Sequence, residues 1–251
     1  MKIVVIGGSG LIGSNVVARL RRAGHEVVAA SPRSGVDVIS GHGLAEALEG
    51  AQVVVDVANS PSFEKEAAVA FFQTAGRNLL AAGKAAGVEH HLALSVVGTE
   101  RLQQSGYFYA KAVQEALLEA SPIPYTLLRA TQFFEFVGSI VEHCTDGAEV
   151  HISPALIQPV AADDVAAALA DLAVGMPIND MVEVAGQDCF PMDELARKYL
   201  ARCNSGRQVI ADVRARYFGS DLDDRTLTAR KGARLGPTRF NNWLASAAFR
   251  A

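Results

Sequence analysis

Between an apolar run, Lys2–Ile6, and an amphipathic stretch, Leu11–Ala23, stand Gly7-Gly8-Ser9-Gly10-Leu11-Ile12-Gly13, and no other feature constrains the fold as strongly. A strand that enters a helix through glycines so spaced must turn tightly and pack closely on that helix. Four further short runs, Glu26–Ala30, Gln52–Asp56, His90–Ser95 and Tyr125–Leu128, are rich in Val, Ile or Leu. Runs of this length and composition suit strands buried on both faces. Helical patterns lie between them. In Phe71–Ala86, for example, Phe71, Phe72, Ala75, Leu79, Ala82 and Ala86 form one apolar face. Gly24, Gly50 and Gly87 follow helical patterns, where a left-handed residue closes the last turn. The alternation predicts an α/β fold, a Rossmann-like doubly wound parallel sheet covered by helices.

The rhythm weakens after Arg129. A helix is expected through Phe133–His143, a strand at Glu149–Ile152, and a helix capped near Ala162-Asp163. A strand at Met181–Val184 and a helix at Met192–Arg202 follow. With 251 residues the chain suits a single domain, residues 1–251, whose cap segments, roughly 132–158 and 186–251, form a small substrate-binding cap. The net charge of −4 supplies no basic stripe for nucleic acid. Three scattered cysteines, Cys144, Cys189 and Cys203, fit neither a disulfide framework nor a paired metal site. No targeting or membrane-spanning segment is visible, so a cytoplasmic protein is expected.

The chemistry starts at the glycine turn. A helix N-terminus offers unpaired N–H groups and a positive dipole end, and the glycines let a pyrophosphate approach the backbone. Gly7, Gly8, Ser9, Gly10, Leu11, Ile12 and Gly13 are therefore expected to hold a dinucleotide. A carboxylate for the ribose 2′-hydroxyl of NAD is missing after the second strand, before Asp37. Arg33 instead offers a guanidinium for a 2′-phosphate, with hydroxyls from Ser31 and Ser34. NADP(H) is favoured over NAD(H).

Ser95 closes the fourth strand, and Tyr107 and Lys111 lie four residues apart on the next helical stretch, hence on one face. A fixed ammonium beside a tyrosine favours the phenolate and lowers its pKa. Ser95 could hold a substrate oxygen and Tyr107 could protonate it, with Lys111 also reaching the nicotinamide ribose. YxxxK alone is a weak signal, and Tyr109 beside the pair lacks the spacing. The strand-end serine and the upstream glycine turn strengthen it.

Together these residues resemble the short-chain dehydrogenase/reductase superfamily, and the Gly-Gly-Ser-Gly-Leu-Ile-Gly form is similar to its atypical, NmrA-like NAD(P)H-binding branch. Arg77–Ala82 with Gly87-Val88, Pro124–Arg129, Gln158-Pro159-Val160 and Ala162–Val165 extend the likeness over nearly the whole chain. The resemblance implies a Rossmann core and hydride transfer from NAD(P)H. It implies that Ala58, Asn59 and Ser60 line the ribose and adenine side, and that Ala130, Thr131, Gln132 and Phe133 border the nicotinamide. Many NmrA-like proteins lack the tyrosine–lysine pair and act as sensors or regulators, and this chain keeps it. The family's catalytic asparagine has no assured match; Asn78 is the nearest candidate but stands too close to Ser95 in sequence.

Other signals carry less. Adjacent His90 and His91 point to opposite faces of a strand and cannot chelate together, so no metal is expected. Asp163-Asp164 suits helix capping. Phe133, Phe134 and Phe136 suit either a substrate wall or core. The expected function is an NADPH-dependent reductase of a carbonyl or quinone-like small molecule, hydrophobic or aromatic. The alternatives are a non-catalytic NADP(H)-sensing protein and a sugar-nucleotide epimerase or dehydratase. A homodimer through exposed helices is compatible with each.

Overall fold

The computed structural model describes residues 1–249, so the last two residues of the expected cap, Arg250 and Ala251, lie outside the described residues. The elements in chain order are β1 (Lys2–Ile6), α1 (Leu11–Arg22), β2 (Glu26–Ala30), α2 (Leu44–Leu48), β3 (Val53–Asp56), α3 (Lys65–Ala85), β4 (His90–Val96), α4 (Gly106–Glu119) and β5 (Tyr125–Ala130). There follow α5 (Val137–His143), β6 (Thr145–Asp146), β7 (Glu149–Ile152), β8 (Leu156–Ile157), α6 (Ala162–Ala173), β9 (Met181–Ala185), β10 (Phe190–Pro191), α7 (Met192–Arg202), β11 (Gln208–Ala211), β12 (Arg234–Leu235) and α8 (Phe240–Ala245).

Seven strands make one parallel sheet in the order β12-β9-β5-β4-β3-β1-β2, the Rossmann-like architecture expected from the sequence. β1 pairs with β2 on one side and β3 on the other, Ile3 standing opposite both Val27 and Val53. The chain therefore reverses its direction of travel across the sheet at β1 and β3, and ligands bind open α/β sheets outside the carboxyl ends at such a reversal. No strand intervenes between β2 and β3. After β2 the Asp37 carboxylate shapes a turn, accepting from the Ile39 N–H at 2.8 Å and the Ser40 hydroxyl at 2.9 Å.

The chain divides into two compact units, one of residues 1–95, 106–129 and 165–182, the other of 96–105, 130–164 and 183 onward. In the first, Val4, Ile6, Leu44, Leu48, Val54, Leu79, Val88 and Ile123 share a core cluster. Each fully buried aliphatic side chain contributes roughly 1.5–3 kcal/mol by leaving water. α3 packs tightly on α4 because Gly76 has no side chain: a Cβ there would meet Leu117 Cδ1 at 3.2 Å. That packing fixes the height of Tyr107, which rests on a small cluster of Ala68, Phe72 and Ala110. Helix α3 starts at Lys65, six residues before the expected Phe71.

The second unit contains the expected cap segments together with the loop 96–105. Within it β7 pairs parallel with β11 and antiparallel with β6. The expected helix Phe133–His143 opens with a 3-10 turn, Phe134–Phe136, before becoming α5. Phe134 is core: its ring lies 5.1 Å from Phe240 and 5.5 Å from Trp243. Asp164, expected as a helix cap, accepts instead from the Thr238 N–H at 2.9 Å and the Thr238 hydroxyl at 3.0 Å, and so ties down the tail. Among the described residues, no helix is long and apolar enough to cross a membrane.

Candidate active site

Steric demands explain the glycine turn position by position. Gly7 has φ +77°, and a Cβ there would lie 2.9 Å from the Val57 carbonyl oxygen, so this turn is pressed against the segment leaving β3. At Gly13 a Cβ would lie 2.2 Å from the Gly7 carbonyl oxygen, and at Gly8 2.8 Å from Ala29 Cα. Gly10 is the least crowded of the four, though a Cβ there would still meet the Gly7 carbonyl oxygen at a tight 3.3 Å. Gly10 is also the N-cap of α1 and supplies no side-chain cap; the first turn holds no acidic residue. The N–H groups of Leu11, Ile12 and Gly13 therefore begin a 12-residue helix without intrahelical acceptors. Ser9 and Leu11 are exposed beside them. These residues fit a dinucleotide pyrophosphate: open donors, a dipole end and a glycine where an anion must come close.

After β2 the chain makes a 3-10 turn, Pro32–Ser34, with Ser31 as N-cap. The Ser34 hydroxyl is engaged within this turn, between the Ser31 N–H at 2.9 Å and the carbonyls of Ser31 and Ala29 at 2.9 and 3.0 Å. Ser31 is buried and joins the same capping box. The two serines thus shape the turn that presents Arg33. Arg33 stands exposed at its tip.

At the carboxyl end of β3, Asp56 is buried and its Oδ1 accepts from the Ala58 N–H at 3.0 Å. Asn59 is exposed, Ser60 is buried, and the Tyr107 hydroxyl donates to Asn59 Oδ1 at 2.9 Å. Tyr107 is half-buried among aromatic rings, with Phe63 at 5.0 Å, Phe108 at 5.9 Å and Phe72 at 6.2 Å between centroids. Burial raises its pKa above the ordinary tyrosine value, and the Asn59 hydrogen bond works against that rise. The sequence expectation was the reverse, a phenolate favoured by Lys111.

The reason lies in where Lys111 goes. Its side chain is 4% exposed, over the Phe72 ring at 4.7 Å, with Nζ donating to the Leu94 carbonyl at 2.8 Å and to Gln114 Oε1. Gln114 in turn donates to Asp56 Oδ2 at 3.1 Å. Burial lowers the Lys111 pKa to about 8, and the charges of Asp56 and Glu115 limit the fall. Ser95, also 4% exposed, donates to Glu115 Oε1 at 2.5 Å. Glu115 is held by Arg129 through Nε at 2.9 Å and Nη2 at 2.6 Å. Ser95 and Lys111 thus join a buried network rather than turning toward Tyr107. Sequence reasoning missed Asp56, Gln114, Glu115 and Arg129. Following the helical face one turn past Lys111 would have reached Gln114 and Glu115.

Asn78, weighed as a fourth catalytic residue, is structural: its Nδ2 donates to the Val38 and Ile39 carbonyls, both at 2.9 Å. In the second unit, Ala130 is buried, Phe133 forms a bridge with Val160, and the Thr131 N–H donates to the Val184 carbonyl at 3.0 Å. The Thr131 hydroxyl and both amide atoms of Gln132 are buried without a hydrogen-bond partner. His90 and His91 are likewise buried, and burial lowers both pKa values, His90 to about 4. Among the described residues, no three His, Cys, Asp or Glu side chains are grouped as metal ligands.

Comparison with known proteins agrees with this geometry. Residues 7–174 match the family model described as NAD(P)H-binding. Over 149 residues, 54% of this chain, the sequence is 26% identical to Photosystem II assembly factor Ycf39 of Cyanophora paradoxa; the match spans about half, 46%, of that relative's length. Among solved structures, dTDP-4-dehydrorhamnose reductase of Bacillus anthracis in complex with NADP superposes with a TM-score of 0.72 at 12% identity, covering 97% of this chain and 95% of that one. A short-chain dehydrogenase/reductase superfamily protein of Agrobacterium tumefaciens with bound NAD gives 0.71 at 17% identity, with 99% and 96% covered. An NADPH-dependent quinone oxidoreductase of Escherichia coli gives 0.61 at 19% identity, with 85% and 78% covered. At such identities these likenesses establish the fold, and the resemblance drawn from the residues is borne out. With the glycine turn and most of the sheet inside the matched span, the chain belongs to the NAD(P)H-binding family.

Proposed function

We propose that the protein is an oxidoreductase that uses NADPH in preference to NADH to reduce a carbonyl or quinone-like small molecule, with Tyr107 as the proton donor. When bound, the nicotinamide supplies hydride. The observation that carries the reading is the Tyr107 hydroxyl, half-buried on α4 and hydrogen-bonded to Asn59 at the carboxyl end of β3. As a neutral phenol it is in the form that gives a proton to an acceptor oxygen as charge develops there, and burial, which raises its pKa, ties the transfer to that developing charge. The glycine turn and the uncapped start of α1 hold the pyrophosphate, and Arg33 takes the 2′-phosphate. Lys111, Gln114 and Asp56 brace α4 beneath the tyrosine; Ser95, Glu115 and Arg129 do the same one turn on.

A second reading is favoured by the engagement of Ser95 and Lys111 inside that network: a protein that binds NADP(H) and signals its state without turnover. A relative named as an assembly factor is compatible with it. One experiment separates the two. NADPH binding is measured by fluorescence, and oxidation is followed with quinones and ketones, for the wild type and Tyr107→Phe. Turnover that falls about a hundredfold or more in the variant, with NADPH affinity kept, supports the reductase. Tight binding without turnover on every acceptor favours the sensor.

A further inference from the structure

We propose that Phe63 is the specificity residue of the acceptor subsite, where it stacks a flat conjugated carbonyl compound beside the Tyr107 hydroxyl while Asn59 positions that hydroxyl. The inference rests on Tyr107 as proton donor and names the class of acceptor.

Phe63 is 53% exposed, so one face of its ring is open to a flat ligand. It lies on the segment between β3 and α3, at the carboxyl edge of the sheet. This segment is braced by two serine turns, Ser60 Oγ accepting from the Ser62 N–H and Ser62 Oγ from the Glu64 N–H, each at 3.2 Å. Phe63 is thus presented on a shaped turn. Its ring meets Tyr107 at 5.0 Å with a 58° tilt, while Phe72 and Phe108 wedge Tyr107 from other sides. The two tilted rings thus stand beside the Tyr107 hydroxyl, with the Phe63 ring partly exposed.

Asn59 completes the arrangement. Its Oδ1 accepts a hydrogen bond from the Tyr107 hydroxyl, and among the described residues no acceptor takes its Nδ2 hydrogens. Those hydrogens remain for an acceptor oxygen that approaches the phenol. The subsite thus combines one proton donor, one amide donor and one exposed aromatic face. A quinone or aryl ketone uses all three. A small aliphatic carbonyl uses only the polar pair and gains little from Phe63. The aromatic preference expected from Phe133–Phe136 accordingly moves to Phe63, since Phe134 is committed to the core and Phe136 stacks on Phe218 at 6.0 Å.

The test compares wild type with Phe63→Ala, with the melting temperature of both measured to show that the variant is folded. Calorimetric titration with anthraquinone-2-sulfonate reads the subsite directly, and NADPH oxidation with menadione and with 2,3-butanedione reads turnover. The expected result is a roughly three- to tenfold loss of anthraquinone affinity and a similar rise in KM for menadione. The KM for 2,3-butanedione and the NADPH affinity stay within about twofold. Phe63-dependent anthraquinone binding without turnover on any acceptor would uphold the subsite and overturn the reductase reading. Turnover with equal effects on both acceptors, or none, would overturn the role of Phe63 alone. A wild-type protein that binds no anthraquinone would also overturn it.

Discussion

The Ser95 hydroxyl donates to Glu115 Oε1 at 2.5 Å, and Arg129 grips the same carboxylate from β5. A strand-end serine that is expected to face a substrate is here one leg of a buried three-residue clasp joining β4, α4 and β5. Hydrogen bonds to ionised groups contribute more than neutral ones, and a buried charge left without its partner costs more than either. Ser95→Ala removes one leg and leaves the ion pair, so urea denaturation should read a loss of about 1–2 kcal/mol. Glu115→Ala removes the carboxylate that both Ser95 and Arg129 hold and should lose more than Ser95→Ala does. If Ser95→Ala instead keeps full stability and abolishes turnover, the hydroxyl acts on substrate and the clasp is incidental.

The clasp also marks how far the sequence could be read. Strand runs and helix faces follow from burial periodicity, and β1, β2 and α7 lie where the sequence placed them. Gly24, Gly50 and Gly87 all take positive φ, as C-terminal stops should. Tyr107 and Lys111 were legible as a spacing, but their environments were not. Whether a lysine faces a tyrosine or the interior depends on residues from β3 and β4, and Asp56 and the Leu94 carbonyl draw Lys111 inward.

Two glycines of the turn should respond differently to alanine. At Gly13 the new Cβ would stand 2.2 Å from backbone, which no side-chain shift relieves. Gly13→Ala should therefore distort the start of α1, lowering both the melting temperature and NADPH affinity. At Gly10 the 3.3 Å approach is nearly tolerable to the fold. Gly10→Ala should leave the melting temperature within a few degrees while weakening NADPH about tenfold or more, because the methyl stands where phosphate must come close. Equal loss of stability in both variants would count against a cofactor role for Gly10.

Arg33 should decide between the two nicotinamide cofactors. It is exposed at the tip of a turn whose serines are occupied with each other, so no hydroxyl there can take over its charge. Arg33→Ala should weaken NADPH by roughly ten- to a hundredfold, the range of one charge-assisted pair, and leave NADH within about twofold. Raising the salt concentration should shrink the difference, since an exposed pair is screened. Parallel losses for both nucleotides would place the 2′-phosphate elsewhere.

His90 gives the fold an acid limit. It is buried on β4, its Nε2 lies 3.0 Å from the Thr126 hydroxyl, and burial holds its pKa at about 4. In the unfolded chain the ring titrates near 6.5, so between about pH 6.5 and 4 only the unfolded state binds the proton. Stability is therefore full above the unfolded value and falls as the pH drops through this window. The loss should be about 2 kcal/mol at pH 5, and His91, shifted in the same direction, adds to it. Urea midpoints at about pH 7.5 and 5 measure the effect. His90→Leu should cost about 1 kcal/mol at the higher pH through the lost Thr126 contact, yet narrow the gap between the two midpoints. A gap as wide as in the wild type would move the acid sensitivity away from His90, leaving His91 to account for it.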